Sequence, residues 1–416
     1  MPCVSSILDT KTMSNIELDY QRYLGANLSL DLTRGKPCPD QLALSRGLED
    51  MIQGDYQSRD GIDTRNYGGL LGIPEARELG ARLLDLDPAQ VLAGGNSSLA
   101  LMYQFLAFRK TQWAHSETAP KFICLVPGYD RHFSVCEHLG IAMINVALTP
   151  EGPDLSMVEA LVEKDPSIRG VWCVPKHSNP TGHVYTPETV QRLAKLPLLT
   201  QSDFVLMWDN AYAVHDLDED APPLESLMAH AEAAGTADHV AIFGSTSKIT
   251  LAGAGLGFCG LSPSVLEAFQ RYLEPQMIGF DKVNQLRHAR FLDDEHKLKA
   301  LMDAHRKILR PKFDLVDEKL KPLSVQSLAA WSHPLGGYFV SLDLKAASAR
   351  QVVHLAGAAG VKLTPAGATF PYGDDPEDKN IRIAPSFPDM MDLGQALDVL
   401  VCCVHKASHD AASQSH

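Results

Sequence analysis

One lysine follows a predicted buried strand and stands among hydroxyl side chains, in the stretch Gly244-Ser245-Thr246-Ser247-Lys248. The apolar run 239–243 before it is rich in β-forming residues, and the Gly-rich run 249–255 after it is unsuited to an ordinary helix. A lysine in this position is poorly hydrated, so we expect a lowered pKa and a nucleophilic neutral amine. The neighbouring serines can donate hydrogen bonds to a phosphate. Taken alone, the stretch is explained equally well as a surface lysine in a Ser-rich loop.

A lysine combined with phosphate donors is the set of groups that binds pyridoxal phosphate (PLP), which bonds covalently to a lysine amine. A second Gly/Ser turn, 94–98, precedes a strongly apolar helix predicted over 99–108. Free N–H groups at a helix N-terminus bind anions, so this turn is a candidate phosphate site. Simple N-capping of the helix by Asn96 or Ser97 is the alternative, and the turn alone does not separate the two.

Strands and helices alternate in the middle of the chain and must position these groups. Apolar runs predict strands at 121–126, 143–148, 170–174, 204–208 and 239–243, with helices between them. Near-continuous apolar strands that alternate with helices indicate an α/β fold with a mostly parallel sheet, covered on both faces. Ligands collect at the carboxyl ends of such strands. That rule brings together five side chains: Tyr129, Asn179, Asp209, Tyr212 and Lys248.

Each of these side chains has a task in binding a pyridoxal ring. Asp209 can pair with the pyridine nitrogen and keep it protonated, while Asn179 and Tyr212 can hydrogen-bond the phenolic oxygen. Tyr129 can stack on the face of the ring. Every one of them also has an ordinary structural explanation when taken singly. Five matching side chains at the strand ends of one chain favour the PLP site.

Several motifs carry a family resemblance. Ser-Asn-Pro-Thr-Gly, Asp-Asn-Ala-Tyr, Ser-Thr-Ser-Lys and Asn-Ile-Arg-Ile occur in that order at 178–182, 209–212, 245–248 and 380–383. The chain resembles fold-type-I PLP enzymes of the aminotransferase class I/II superfamily. The motifs at 33–37, 67–70, 95–99, 127–132 and 253–255 resemble the MocR-like group, which includes the type Ic aspartate aminotransferases. The resemblance implies a large domain with a mostly parallel, seven-stranded-type sheet and a smaller α+β domain.

The resemblance also implies roles for individual residues. Lys248 matches the lysine that bonds to the cofactor, Asp209 the partner of the ring nitrogen, and Tyr212 and Asn179 the partners of the phenolic oxygen. Tyr129 matches the stacking aromatic. The phosphate would be held at Asn96, Ser97, Ser98, Ser245 and Ser247. Tyr67 matches a tyrosine that reaches the neighbouring subunit's phosphate, which implies a homodimer with shared active sites.

Substrate contacts follow from the same resemblance. Arg382 matches the arginine that binds the substrate α-carboxylate bidentately, beside Asn179. Gly35 and Arg34 lie on a turn that resembles the substrate-covering segment. Arg131 is a candidate for a second substrate carboxylate, with a surface ion pair to Asp130 as the alternative.

One position departs from the family pattern. Many relatives carry a phosphate-binding arginine eight residues after the lysine, where this chain has Leu256. Which cation replaces that arginine is left open by the sequence.

Composition limits the remaining possibilities. At 416 residues two domains are expected, and the net charge of −14 argues against nucleic acid or an anionic membrane as a partner. Residues 1–19 show no secretory signal, no apolar run approaches the ~18 residues of a membrane span, and the eight scattered cysteines indicate reduced thiols. We therefore expect a cytoplasmic protein. The histidines show no metal-ligand spacing, and no metal is expected.

The predicted domain organisation has four parts. Residues 1–54 form a segment that packs on the small domain, 55–295 the large PLP-binding domain, 296–406 the small domain and 407–416 a disordered tail. A long charged helix is predicted over 289–319, with an interruption at Pro311.

These observations predict a transaminase that acts on an amino acid, with aspartate or glutamate as the best guess, and on a 2-oxo acid such as 2-oxoglutarate. The same residues would serve another PLP reaction, such as β-elimination or decarboxylation. A non-catalytic effector domain of a MocR-type regulator is the third possibility. It is disfavoured because only about 30 residues precede the motif at 33–37 and the chain is acidic.

Overall fold

The structure is a computed structural model that describes residues 10–113, 118–200 and 203–414. Its α-helices, in chain order, are α1 (Thr10–Leu24), α2 (Pro39–Ala43), α3 (Pro74–Leu84), α4 (Ser98–Trp113), α5 (Asp130–Leu139), α6 (Leu155–Lys164), α7 (Pro187–Lys195), α8 (Leu227–Ala234), α9 (Pro263–Leu273), α10 (Lys282–Phe291), α11 (Glu295–Val325), α12 (Ala349–Ala358) and α13 (Met390–Gln414). Its strands are β1 (Leu30–Asp31), β2 (Val91–Ala93), β3 (Lys121–Val126), β4 (Ala142–Thr149), β5 (Gly152–Pro153), β6 (Ile168–Cys173), β7 (Val205–Asp209), β8 (Val240–Ser245), β9 (Gly257–Gly260), β10 (Ala329–Trp331), β11 (Val340–Leu344), β12 (Val361–Lys362) and β13 (Asn380–Ile383).

The largest sheet has the order β2-β9-β8-β7-β6-β3-β4-β5 in the described part of the chain. The neighbours from β8 to β4 pair in parallel, whereas β9 runs antiparallel to both β8 and β2. The predicted mostly parallel α/β sheet is therefore confirmed. A two-residue edge strand, β5, is added to the seven longer strands and is antiparallel to β4.

Alternate residues of the central strands enter two different hydrophobic cores. In β7, Val205 and Met207 face a core that includes helices α4, α5 and α9. Leu206 and Trp208 face a second core, which includes helices α3, α6, α7 and α8. Helices thus cover both faces of the sheet, which explains why its strands are apolar along their whole length. Polar side chains are left to the strand ends.

A second sheet, β10-β11-β13, is antiparallel and packs with α11, α12 and α13 around a third core. The N-terminal part of the chain joins this unit, because β1 pairs with β12 and Tyr20 of α1 is buried in the same core. Domain boundaries at 54, 295 and 406 stay a prediction. None of the described helices is both long enough and apolar enough to span a membrane.

The interruption predicted at Pro311 is wrong. Helix α11 runs through Pro311 and Pro322 without a break, and the chain instead breaks before it, where Asp294 caps the new helix by accepting from Lys297 N at 2.8 Å. A proline inside a helix costs about 3 kcal/mol. Leu309 and Phe313, on either side of Pro311, are buried in the third core, and their burial offsets that cost.

The predicted disordered tail is also wrong for residues 407–414, which continue helix α13. Ala407 is fully buried and Ser408 nearly so. Small residues had indicated disorder, but alanine is a strong helix former and here it packs against the third core. Residues 415 and 416 lie outside the described part of the chain.

Candidate active site

Two adjoining cavities open at the carboxyl ends of the parallel strands. The larger has a volume of about 430 Å³ and the smaller about 40 Å³. Tyr129, Asn179, Tyr212 and Lys248 line both of them. Asp209 and Ser98 line the smaller cavity, and the larger one is lined by all four predicted substrate contacts besides Asn179: Arg34, Gly35, Arg131 and Arg382. The structure therefore brings the five predicted strand-end side chains together.

Lys248 lies three residues beyond β8, where the two cavities meet. Its Nζ is 4.8 Å from the centre of the Tyr212 ring. Burial lowers the pKa of the amine, and the negative charge of Asp209 opposes this effect in part. The expected direction of the shift is thus confirmed, and a lowered pKa makes the neutral, nucleophilic amine more accessible.

Asp209 ends β7 and is almost completely buried. Its Oδ2 is 2.9 Å from Nε2 of His132, whose ring stacks on Trp172 with centroids 4.1 Å apart. The other carboxylate oxygen, Oδ1, is buried without a hydrogen-bond partner. A buried carboxylate oxygen without a donor is costly, so this atom is poised to accept a hydrogen bond from a ligand in the smaller cavity.

Two tyrosines form walls of the cavities. Burial is the main cause that raises the pKa of Tyr129, to about 12, and it raises the pKa of Tyr212 well above its ordinary value. Both hydroxyl groups are therefore neutral at physiological pH and can donate hydrogen bonds. The Tyr129 ring meets His132 edge-on at 5.0 Å.

The predicted phosphate residues form one cluster beside the smaller cavity. Ser247 Oγ is 3.4 Å from the Asn96 carbonyl oxygen, and Ser247 N is 3.4 Å from Ser245 Oγ. A Cβ atom on Gly257 would lie 3.0 Å from the carbonyl carbon of Ser97, so the two backbone segments approach closely because this residue is glycine. The start of α4 at Ser98 faces the same cavity.

Side chains in this cluster have structural tasks as well. Ser97 Oγ accepts from Ala100 N at 3.3 Å, which is the N-capping considered for this turn. The Asn96 carboxamide donates to the Gly253 carbonyl at 3.0 Å. Leu256, at the position of the family arginine, is buried in the core. Phosphate-binding roles for these residues stay predictions. Ser97 Oγ accepts in its cap hydrogen bond, so its O–H group can still donate, as can the backbone N–H groups of the turn.

Arg382 projects from β13 into the larger cavity, with only 6% of its side chain exposed. Its Nη1 donates to Asp130 Oδ1 at 2.8 Å and lies 3.4 Å from Asn179 Oδ1. Phe339 lies under the guanidinium, 4.9 Å from ring centre to Cζ. A Cβ on Gly35 would be 2.6 Å from the Phe339 ring, so glycine is needed where this segment covers the cavity.

Tyr67 stands apart from the other predicted residues. Its side chain is 83% exposed, and it lines neither cavity. A role within its own subunit's site is therefore not supported by the geometry.

Among the neighbours of the site that were not predicted as site residues are His132, Asp130 and Phe339. The first two lie in the motif 127–132, and that pattern could have indicated them, since both follow Tyr129 in the first turn of α5. Phe339 had no such signal, because its place depends on how the second sheet packs against the first.

Comparisons with known proteins agree with this geometry. The family model described as aspartate amino-transferase matches residues 5–416. A Mycolicibacterium smegmatis protein that carries an aminotransferase name is 45% identical over 407 residues, covering 94% of both chains. The aspartate aminotransferase of Corynebacterium glutamicum is 42% identical over 400 residues, covering 94% of this chain and 92% of the relative. The crystal structure of an aspartate transaminase from Corynebacterium glutamicum superposes with a TM-score of 0.90 at 40% identity, covering 97% of this chain and 98% of that one. The chain belongs to the aspartate aminotransferase family and is a transaminase of the fold-type-I class.

Proposed function

We propose that this chain is a PLP-dependent aminotransferase that moves an amino group between aspartate or glutamate and a 2-oxo acid such as 2-oxoglutarate. The observation that carries the proposal is the unpartnered buried Oδ1 of Asp209, in the same cavity as the Lys248 amine. A protonated pyridine nitrogen is the donor that this carboxylate oxygen lacks. The relative in Corynebacterium glutamicum is named for aspartate, which supports the choice of substrate.

The residues present fit PLP. Asp209 would hold the ring nitrogen, Tyr129 would cover one ring face, and Asn179 and Tyr212 would donate to the phenolic oxygen. The phosphate would bind at the start of α4 and at the hydroxyls of Ser97, Ser98, Ser245 and Ser247, with the backbone N–H groups of the turn. When bound, PLP supplies a protonated ring that withdraws electrons from the substrate Cα.

Lys248 performs the proton transfers in this proposal. Its buried amine has a lowered pKa, so its neutral form can accept a proton from the substrate Cα. The resulting ammonium would hold that proton within the cavity and could donate it again. His132 holds the second oxygen of Asp209, which keeps the carboxylate directed at the ring nitrogen. Asp209 is almost completely buried, so its electrostatic contacts are stronger than they would be in water.

Cations in the larger cavity support a dicarboxylic substrate. Arg382 would bind the α-carboxylate, with Asn179 beside it. Arg131 and Arg34 line the same cavity and are the candidates for the distal carboxylate, as is Lys36. Arg290 is not a candidate, because its guanidinium is bound to Asp55 and to backbone carbonyls of the 51–57 segment.

We include a homodimer with shared sites in the proposal. The exposed Tyr67, which lines neither cavity of its own chain, is available to reach a second subunit's phosphate. The seven described cysteines are unpaired thiols, which supports a reducing, cytoplasmic compartment.

A panel of amino acid donors with 2-oxoglutarate tests the proposal. The expected result is that aspartate donates its amino group to 2-oxoglutarate, which yields glutamate and leaves oxaloacetate as the co-product. Pyruvate and ammonia released from a donor without any acceptor would instead support a lyase. A panel in which aspartate is no better than alanine would contradict the choice of a dicarboxylic substrate.

A further inference from the structure

The substrate-binding arginine already holds a carboxylate of its own chain. Nη1 of Arg382 donates to Asp130 Oδ1 at 2.8 Å, and 29% of the aspartate side chain is exposed to the cavity and solvent. Asp130 begins α5, directly after the tyrosine that covers the ring site. Its carboxylate lies among the residues that line the larger cavity, so it occupies space that a substrate needs.

The other edges of the guanidinium cannot replace this contact. Nε of Arg382 is buried without a partner, so a ligand in the cavity does not reach it unless the side chain moves, and Nη2 is 3.4 Å from Thr364 Oγ1. A carboxylate that binds through two N–H groups from the cavity side therefore has to use Nη1 together with Nη2. Asp130 blocks that mode of binding as long as it stays in place.

Arg131 is a second cation that can pair with the Asp130 carboxylate when a ligand displaces it from Arg382. Asp130 Oδ2 is 4.0 Å from Nε of Arg131, whose side chain is 41% exposed. That separation is at the outer limit of an ion pair, so Arg131 is a weak partner while Asp130 is held by Arg382. A small side-chain movement toward Arg131 would free Nη1 and keep the aspartate charge paired.

We propose that Asp130 is an internal competitor for the carboxylate site of Arg382, which every substrate must displace, and that it thereby lowers affinity for all carboxylate ligands. This inference rests on the proposed function, since it takes Arg382 as the residue that binds the α-carboxylate. The opposite role is that Asp130 stays on Arg382 and orients it. The two roles predict changes of opposite sign when the aspartate charge is removed.

The experiment measures the dissociation constant of succinate, a dicarboxylate without an amino group, for the cofactor-loaded enzyme by calorimetry. Asp130→Asn is expected to bind succinate about tenfold more tightly than the wild type, because the ligand no longer displaces a charged group. Asp130→Ser, which removes the charge and keeps a small polar side chain in the first turn of α5, is the second variant. Glu188→Gln is the matched control, because it removes an exposed charge outside the cavity and is expected to leave binding unchanged.

A double-mutant cycle with Arg382→Gln tests whether Asp130 weakens succinate binding by occupying Arg382 or through its negative charge in the cavity. The gain from Asp130→Asn should vanish when Arg382 is absent. A gain that persists without Arg382 would assign the effect to the overall charge of the cavity and overturn the proposal. Unchanged or weaker succinate binding by both Asp130 variants would assign the orienting role instead.

The experiments distinguish a wrong assignment of the substrates from a wrong role for Asp130. Wild-type turnover of aspartate with 2-oxoglutarate is measured first, and its absence removes the proposed substrates. Succinate binding is then still interpretable, because it depends on Arg382 and Asp130 and requires no turnover.

Discussion

Replacing Arg131 by alanine is expected to weaken the use of dicarboxylic substrates more than the use of monocarboxylic donors. Arg131 follows Asp130 at the start of α5 and lines the larger cavity with Arg382. If it binds the distal carboxylate of aspartate or 2-oxoglutarate, its loss removes a contact that alanine never makes. The comparison between donors therefore isolates this contact from any general damage to the enzyme.

The expected size of the loss in transition-state binding follows from the exposure of the Arg131 side chain. A fully desolvated charge pair that loses one partner costs about 2–5 kcal/mol, and an exposed pair contributes about 0.2–1 kcal/mol. Arg131 is 41% exposed, which puts it between these limits. We expect a loss of about 1–2 kcal/mol, which is a fall of about five- to thirtyfold in kcat/KM for aspartate. The free energy of unfolding should change by less than about 0.5 kcal/mol, because the pair with Asp130 is long and exposed.

Steady-state rates with aspartate, glutamate and alanine as donors measure this effect. Arg34→Ala, which removes another cation of the same cavity, is the matched comparison. If only Arg34→Ala lowers kcat/KM selectively for dicarboxylic donors, Arg34 and not Arg131 binds the distal carboxylate. Equal losses for aspartate and alanine in Arg131→Ala would refute a contact with the distal carboxylate and leave Arg131 only the role of pairing with the displaced Asp130.

Three further changes test the catalytic side of the site. Asp209→Ala should lower turnover by orders of magnitude in a folded protein, because the ring nitrogen loses its partner; normal steady-state rates would remove Asp209 from that role. His132→Phe keeps a ring stacked on Trp172 but leaves Asp209 Oδ2 without its hydrogen-bond donor. The free energy of unfolding of the cofactor-free protein, measured with denaturant, should therefore fall by about 1.5–3 kcal/mol. His132→Gln, which can still donate, should lose less. A larger loss in His132→Gln than in His132→Phe would assign the effect to the stacking on Trp172. Lys248→Met should abolish turnover and the visible absorbance of lysine-bound cofactor. Lys248→Met should also stabilise the cofactor-free protein at neutral pH. Lysine in the unfolded chain has a pKa near 10.5 and binds a proton readily, whereas the lowered pKa in the native state disfavours protonation, so the wild type loses stability that the variant keeps. The free energy of unfolding of the wild type falls as the pH falls from about 10.5 toward the native pKa of Lys248. The difference in stability between variant and wild type should therefore shrink as the pH rises toward about 10. A difference that does not change with pH would contradict the lowered pKa.

The strand-end residues were predictable because they depend on local patterns and one topological rule. Apolar runs that end at Asp209 and shortly before Lys248 are buried parallel strands, and parallel strands place their carboxyl ends on one edge. The sheet order did not have to be known for that conclusion. Strand β9 was missed, since its four residues include two glycines and follow a Gly-rich run.

Other features depend on packing between distant parts of the chain. The contact between Arg382 and Asp130 joins residues 252 positions apart, and no local pattern encodes it. The same holds for the fit of Gly35 against Phe339. Helix α11 continues through Pro311 because neighbouring side chains are buried, and burial is a tertiary property that helix propensity cannot predict.

Two kinds of contact connect the second sheet and its flanking segments to the active site. One is neutral and buried: Tyr338 donates to the Lys248 carbonyl at 3.3 Å and is itself held by Gln41 at 2.8 Å. The other is the charged contact between Asp130 and Arg382, on the substrate side of the cavity. A carboxylate ligand competes with the charged contact but has no means of replacing the neutral one. We therefore expect substrate binding to exchange the contact at Arg382 and to leave the backbone of Lys248 in place.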